Sequence, residues 1–209
     1  MYDAILFDLD GTLVDTETLA VAAGLAAFAA AGHPVDMEFM HRLVGIDGPT
    51  SARIIAAHRP DLDLAHFDTI WRADFNARMH ESLALKPGVT ELLTHATHLP
   101  RALVTSSRRV EAHAKLGKVG LHTTFAQVIT VDDVSHAKPH PEPYLLAASL
   151  LGVSPARCLV FEDSEAGSEA AHRAGMVVVQ VPDVVPSQGR WAHHLAEDLL
   201  AGARAAGLI

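Results

Sequence analysis

The feature that most constrains this chain is a short apolar run near its N-terminus that leads directly into acidic residues. The run Ala4–Phe7 is long enough for a buried strand and too short for a buried helix. Side chains alternate along an extended segment, so Asp8 and Asp10 would share a side while Leu9 points away. Two carboxylates so near each other repel unless a proton or a cation lies between them. The stretch therefore predicts either a charged site at a strand end or a solvated acidic turn, with Gly11 permitting a tight turn.

Length and charge narrow the classes of protein to which the chain can belong. Its 209 residues suffice for one large domain or for a domain with an insertion. Its net charge of −9 argues against non-specific binding to nucleic acid or to an anionic membrane. The sequence shows neither a signal peptide nor an apolar window that approaches about 18 residues. We therefore expect a cytoplasmic protein, and a monomer because no apolar helical stripe is left over.

The hydrophobic pattern divides the chain into two parts. Residues 16–84 read as helices and hold no convincing strand. Beyond them, predicted helices alternate with the predicted strands Ala102–Val104, Val128–Ile129, Leu159–Phe161 and Val177–Val179, and a last helix is predicted over Trp191–Ala206. This alternation implies an α/β fold with a Rossmann-like parallel sheet and helices on both faces. We predict a sheet-containing core of residues 1–15 and 85–209, with an all-helical segment inserted over residues 16–84.

Polar residues follow several of the predicted strands, where ligands bind in parallel sheets. They supply carboxylates, hydroxyls and one ammonium: Asp8, Asp10, Thr105, Ser106, Lys138, Glu162 and Asp163. No single member is specific, since a Lys-Pro pair is most often a surface loop and Thr-Ser-Ser is usually a helix cap. Their joint placement at strand ends is hard to explain by structure alone and indicates a functional site.

These pieces resemble the haloacid dehalogenase superfamily of phosphohydrolases. The matching motifs occur in the family's order and span nearly the whole chain: Asp8-Leu9-Asp10-Gly11-Thr12, Thr105-Ser106, Lys138-Pro139 and Glu162-Asp163-Ser164-x-x-Gly167. The helical segment after the first motif looks like that family's helical cap. The most similar branch is the one that contains β-phosphoglucomutase-like and phosphoglycolate-phosphatase-like proteins.

The resemblance implies a catalytic role for three residues. Asp8 would be the nucleophile that forms an aspartyl-phosphate. Asp10 would be the general acid–base, and its presence favours phosphoryl transfer, because the dehalogenase branch lacks this acid. Lys138 would neutralise Asp8 and the phosphoryl group in the transition state.

The resemblance also implies a metal site and a phosphate site. The cofactor would be Mg²⁺, which prefers oxygen ligands. Its ligands would be the carboxylates of Asp8 and Asp163 and the backbone carbonyl of Asp10, with Glu162 as an alternative or outer ligand. Thr105 and the backbone N–H of Ser106 would hold phosphoryl oxygens.

The prediction of substrate depends on the helical segment. In the mutase subgroup a His follows the first motif on the cap helix, and the corresponding position here is Ala20. The loop Leu43–Gly48 has no cation and one acid, Asp47, which would repel a second phosphate. We therefore favour a phosphatase for small phosphomonoesters of the sugar or polyol phosphate type. A sugar-phosphate mutase and a non-catalytic phosphate-binding module are the alternatives. Glu17 could hydrogen-bond a substrate hydroxyl, or simply favour a helix N-terminus.

Other charged residues are assigned to the surface. The arginines of the helical segment are expected to be solvated, although each could reach the site: Arg42, Arg53, Arg72 and Arg78. Arg108 and Arg109 are assigned to the surface in the same way. Two histidine pairs have helical spacing, His95 with His98 and His136 with His140, but Pro139 interrupts the second pair. We predict no zinc site from either pair.

Overall fold

The structure of the chain is a computed structural model that describes residues 1–44 and 48–209. Its strands are β1 (Ala4–Phe7), β2 (Arg101–Val104), β3 (Gln127–Ile129), β4 (Cys158–Glu162), β5 (Val177–Gln180) and β6 (His194–Leu195). Its helices are α1 (Glu17–Ala30), α2 (Met37–His41), α3 (Gly48–His58), α4 (Leu64–Ser82), α5 (Val89–His95), α6 (Arg109–Lys118), α7 (Glu142–Leu151), α8 (Glu165–Arg173) and α9 (Leu199–Ala205). Gly45, Ile46 and Asp47, on which part of the substrate prediction depends, lie outside the described residues.

The strands form one six-stranded sheet in the order β3-β2-β1-β4-β5-β6, and every neighbouring pair is parallel. This confirms the predicted α/β fold with a Rossmann-like parallel sheet. Strand β1 lies between β2 and β4, with Phe7 opposite both Leu103 and Phe161. Because the register is shared, the carboxyl ends of these three strands meet at one edge of the sheet.

Helices cover both faces of the sheet, which explains why β1, β2, β4 and β5 are mostly apolar. Leu6 and Val160 point into a core made with α7 and α8, which includes the fully buried Tyr144. The alternate residues Phe7 and Phe161 stack on each other on the opposite face, with ring centroids 5.4 Å apart. A strand buried on both faces cannot show the polar–apolar alternation of a half-exposed strand.

The predicted last helix over Trp191–Ala206 is wrong in its first half. The segment instead forms β6, whose neighbours His193 and Ala196 donate backbone hydrogen bonds of 2.9 Å to β5. Helix α9 starts only after Asp198, whose carboxylate accepts a 2.7 Å hydrogen bond from the backbone N–H of Ala201. A two-residue strand has too few side chains to produce a period, so the pattern could not separate it from the helix that follows.

The chain divides into two compact units, residues Met1–Asp15 with Ala84–Ile209 and residues Thr16–Leu83. We call the second the helical unit. Its core contains Phe28, Phe39 and Phe67, and the rings of Phe28 and Phe67 lie 4.3 Å apart. Helix α4 packs on α1, where the indole N–H of Trp71 donates to the carbonyl of Ala20 at 3.1 Å. None of the helices within residues 1–44 and 48–209 combines the length and the apolar character needed to span a bilayer.

Candidate active site

The ammonium of Lys138 joins the ends of three adjacent strands. Its Nζ donates to Oδ1 of Asp8, directly after β1, at 2.7 Å and to Oε1 of Glu162, the last residue of β4, at 2.6 Å. It also donates to the carbonyl of Val104, the last residue of β2, at 2.8 Å. All three charged side chains are buried, with Asp8 only 6% exposed. The structure therefore brings together three predicted site residues that are far apart in sequence.

Burial and charge act against each other in this cluster. Burial raises the pKa of Asp8 to about 7, although the neighbouring Lys138 opposes that rise. Burial alone would lower the pKa of Lys138, but the charges of Asp8 and Glu162 raise it, so the ammonium stays charged at neutral pH. Two carboxylates share one ammonium, and the excess negative charge favours a further cation.

The partners of Glu162 show that its carboxylate is held in place from several sides. Oε1 accepts a 2.7 Å hydrogen bond from the buried hydroxyl of Tyr144 in addition to that from Lys138, and Oε2 accepts one of 3.1 Å from Ser164 Oγ. A Cβ at Gly167 would overlap this carboxylate, which explains why the motif has a glycine there. Sequence reasoning missed Tyr144, because a tyrosine on an Ala/Leu-rich helix predicts only core packing.

The third acid, Asp163, lies against the turn that follows β1. Thr12 Oγ1 lies 3.4 Å from its Oδ1, and Gln180 donates to its backbone carbonyl at 3.2 Å. Gly11 has a φ of 81°, and a Cβ there would overlap the carboxylate of Asp163. The glycine is therefore required both by its backbone conformation and by this close approach.

Three of the carboxylates can reach a common ion. Oxygen atoms of Asp8, Glu162 and Asp163 all lie within 4.8 Å of one another. A set of carboxylate oxygens suits a hard cation such as Mg²⁺ better than a soft one. The oxygens of Glu162 already accept hydrogen bonds from Lys138, Tyr144 and Ser164, which leaves this carboxylate less available to an ion.

Asp10 has separate partners that sequence reasoning missed. Its Oδ2 accepts a 2.7 Å hydrogen bond from Ser107 Oγ, and its Oδ1 lies 2.6 Å from the Nζ of Lys115. Lys115 also donates to Ser107 Oγ at 2.9 Å, which closes a triangle of the three side chains. A signal was present in the sequence, because Lys115 lies on the same helical face as the buried Ala112 and Leu116.

The predicted phosphate-binding pair follows β2. Thr105 is buried, and its Oγ1 accepts a 3.0 Å hydrogen bond from the backbone N–H of Ser107, which shapes the loop. Ser106 is exposed beside it. Arg109, which the sequence predicts to lie on the surface, is paired with the carboxylate of Asp133.

The remaining predicted residues belong to the helical unit. Glu17 is the first residue of α1 and lines a cleft of about 660 Å³ within that unit, together with Trp71 and Arg72. The arginines have local partners: Arg72 pairs with Asp68 at 2.7 Å, Arg78 pairs with Asp74 at 2.6 Å, Arg53 donates to Thr50 Oγ1 at 2.9 Å, and Arg42 lies 5.0 Å from the ring centroid of Phe39. The substrate-binding role of Glu17 stays a prediction.

Comparison with known proteins identifies the family. Residues 5–181 match the haloacid dehalogenase-like hydrolases, so the chain belongs to that family. It is 33% identical over 183 residues to the fructose-1-phosphate phosphatase YqaB of Escherichia coli, a match that covers 86% of this chain and 96% of that protein. It is also 33% identical over 177 residues to a phosphorylated carbohydrates phosphatase of Thermotoga maritima, a match that covers 83% of this chain and 82% of the other.

A solved structure supports the same assignment. A hydrolase of this family from Deinococcus radiodurans, crystallised with bound phosphate and sodium, superimposes with a TM-score of 0.84 at 29% identity. The superposition covers 100% of this chain and 97% of that one. The sequence motifs and the parallel sheet are thus both those of a haloacid dehalogenase-like hydrolase.

Proposed function

We propose that the protein is a Mg²⁺-dependent phosphatase that hydrolyses small phosphomonoesters of the sugar or polyol phosphate type through an aspartyl-phosphate. Its relatives are named phosphatases within this hydrolase family, and the chain is a phosphoric monoester hydrolase. The observation that carries the detailed mechanism is the buried ammonium of Lys138, 2.7 Å from Asp8 and 2.6 Å from Glu162. A carboxylate can approach a phosphoryl group only if its charge and that of the phosphate are neutralised.

In the first step, a carboxylate oxygen of Asp8 attacks phosphorus, and the bond between phosphorus and the ester oxygen breaks. Asp10 donates a proton to that oxygen as it leaves, so a neutral alcohol departs. Ser107 and Lys115 hold the carboxyl of Asp10 in position for this transfer. Lys138 offsets negative charge on Asp8 and on the phosphoryl group, which lowers the energy of the transition state.

In the second step, Asp10 removes a proton from a water molecule, and that water attacks the phosphorus of the aspartyl-phosphate. The bond between phosphorus and Asp8 breaks, inorganic phosphate leaves, and the Asp8 carboxylate is regenerated. Thr105 and the N–H of Ser106 would hold phosphoryl oxygens through both steps. The loop that carries them lies beside Val104, whose carbonyl accepts a hydrogen bond from Lys138.

The acidic cluster fits a Mg²⁺ ion. Asp8 and Asp163 would supply carboxylate ligands and Asp10 its backbone carbonyl, while Glu162 would act mainly as the partner of Lys138. Support comes from the close approach of the Asp8, Glu162 and Asp163 oxygens and from the excess of acid over base around Lys138. When bound, Mg²⁺ would supply positive charge to the phosphoryl oxygens.

The substrate class rests on the relatives and on the sequence of the helical unit. The two relatives described above are named for fructose 1-phosphate and for phosphorylated carbohydrates. Ala20 stands where the mutase subgroup has a His, which favours hydrolysis over transfer between two positions of a sugar. We propose Glu17 as a hydrogen-bond acceptor for a substrate hydroxyl.

The test is release of inorganic phosphate from a panel of sugar, polyol and aryl monophosphates, with and without Mg²⁺. We expect turnover of several sugar or polyol phosphates that stops when a chelator is added. Asp8→Asn should stop turnover in every case, because an amide cannot form the aspartyl-phosphate. Metal-independent turnover, or an active Asp8→Asn variant, would contradict this mechanism. Interconversion of sugar monophosphates without net phosphate release would instead identify a mutase.

A further inference from the structure

A second cluster of potential metal ligands lies on the surface, on the loop that carries Lys138. His136 and His140 flank the lysine on either side, and Glu142 begins helix α7. The Nδ1 of His136 lies 2.7 Å from Oε2 of Glu142, and the Nδ1 of His140 lies 3.9 Å from the same oxygen. The two imidazole rings are 4.6 Å apart between centroids. Pro139 excludes a regular helix here, yet the loop places His136 and His140 side by side as a helical turn would have done.

The separations are close to those that a tetrahedral ion needs. Ligand atoms from all three residues lie within 4.8 Å of one another. Zn²⁺ binds imidazole nitrogen and carboxylate oxygen at about 2.0–2.2 Å, which places two ligands of a tetrahedral site about 3.3 Å apart. The 2.7 Å contact of His136 with Glu142 is a hydrogen bond that the ion would replace, and the 3.9 Å separation of His140 from Glu142 is longer than that value. The side chains of His136 and His140 are exposed, so they have room to rotate toward an ion.

Local hydrogen bonds hold Glu142 and His140 in position. Glu142 accepts backbone hydrogen bonds from Ser135 at 2.7 Å and from His136 at 3.1 Å. The Nδ1 of His140 accepts a 3.2 Å hydrogen bond from the backbone N–H of Glu142, which holds the ring beside Glu142 and which a metal ion at Nδ1 would replace. The three residues are therefore held near one another before any ion arrives, which reduces the conformational entropy that binding must overcome.

The local charge also favours a cation. Hydrogen bonds from Ser135 and His136 lower the pKa of Glu142, so its carboxylate is ionised at neutral pH. The ammonium of Lys138 points inward to Asp8, away from the surface cluster. The nearby Arg173 donates to the carbonyl of Pro139 at 3.4 Å and is paired with Glu169 at 3.5 Å.

We propose that His136, His140 and Glu142 form a second metal site that binds Zn²⁺ or a similar late transition-metal ion, with solvent completing the coordination. Two imidazoles and one carboxylate are a donor set that Zn²⁺ uses with water in the fourth position. Mg²⁺ prefers oxygen ligands and belongs in the acidic cluster around Asp8. The two sites therefore differ in the metals that they select.

The test is calorimetric titration of the full-length protein with Zn²⁺ in excess Mg²⁺, which keeps the acidic cluster occupied. We expect one Zn²⁺ per chain in the wild type. His136→Gln and His140→Gln should each weaken this binding by at least about tenfold, since loss of even an outer-shell partner weakens metal binding about 10- to 100-fold. Replacing Zn²⁺ by Co²⁺ gives a second readout, a visible absorption band that both variants should lose.

A matched control uses the other histidine pair. His95 and His98 are also exposed and close in sequence, so the double variant His95→Gln/His98→Gln removes two imidazoles without touching the proposed site. That variant should bind Zn²⁺ as the wild type does. The proposal is overturned if Zn²⁺ does not bind in excess Mg²⁺, if both single variants bind it unchanged, or if the control loses binding to the same extent.

Discussion

Replacing Lys115 by Met tests whether this lysine positions Asp10, the proposed general acid–base. The Nζ of Lys115 lies 2.6 Å from Asp10 Oδ1 and 2.9 Å from Ser107 Oγ, and its side chain is only 12% exposed. Methionine preserves the length and apolar stem of the side chain but removes the charge. Asp10 would then keep only Ser107 of its two described partners, and its carboxyl could rotate away from the leaving group.

The geometry sets the size of the expected effect. A hydrogen bond to a charged group contributes about 1.5–3 kcal/mol net, which corresponds to roughly a 10- to 150-fold change in rate if it acts fully in the transition state. General acid–base catalysis as a whole contributes about 10²- to 10⁴-fold. The loss from Lys115→Met should therefore be smaller than that from Asp10→Asn.

The assay compares kcat/KM for an alkyl phosphate and for p-nitrophenyl phosphate. This ratio reports the first chemical step, in which an alkoxide must be protonated but a nitrophenolate leaves readily without a proton. We expect Lys115→Met to lower kcat/KM for the alkyl phosphate about 10- to 100-fold and for the aryl phosphate by less than about threefold. Lys118→Met removes an exposed charge from the same helix and should change neither value appreciably.

Two results would refute the reasoning. An equal loss on both substrates would mean that Lys115 acts in phosphate binding or in folding rather than through the proton on Asp10. In an Asp10→Asn background, Lys115→Met should have little further effect, because residues that act through each other are not additive. A full additional loss in that double variant would show that the two side chains work independently.

Three further predictions concern the charged core of the site. Tyr144→Phe removes one donor to the buried Glu162 and should lower the free energy of unfolding by about 1–3 kcal/mol, measured by urea denaturation; no loss would contradict the hydrogen bond. Gly167→Ala places a Cβ on the same carboxylate and should cost about 1–3 kcal/mol, whereas Gly117→Ala, in open space on α6, should be neutral or stabilising by up to about 1 kcal/mol. Burial raises the pKa of Asp8 to about 7, so below pH 7 a metal ion must displace a proton from it. Mg²⁺ affinity measured by calorimetry should therefore rise about tenfold per pH unit up to pH 7 and then level off, and a flat profile would contradict the shift.

The sheet and the strand-end residues could be predicted from sequence because their signals are local. Ala4–Phe7 is a continuous apolar run, and the acids stand directly after it. The parallel arrangement then follows from the alternation of strands with helices. It predicts that Asp8, Lys138 and Glu162 lie close together, although it does not predict the distances between them.

The supporting residues could not be predicted in the same way. Tyr144 and Lys115 reach the site across the fold, and nothing adjacent to them in sequence indicates their partners. Of the two, Lys115 is easier to predict from sequence, because a charged residue on the buried face of an amphipathic helix needs a compensating partner. The sequence predicts no metal site at His136 and His140 because Pro139 excludes a helix. A loop, however, can juxtapose side chains at spacings that no regular element predicts.

The strand order has a consequence for synthesis on the ribosome. Strand β1 pairs with β2 and β4, which are encoded only after the whole helical unit. At about 5–20 residues per second, roughly 5–20 s separate the synthesis of β1 from that of its first partner strand. During that time the helical unit, whose contacts are local in sequence, can already pack, while an apolar strand remains unpaired. Lys138 is synthesised well after Asp8, so the nascent chain carries the proposed nucleophile long before its lysine partner is present.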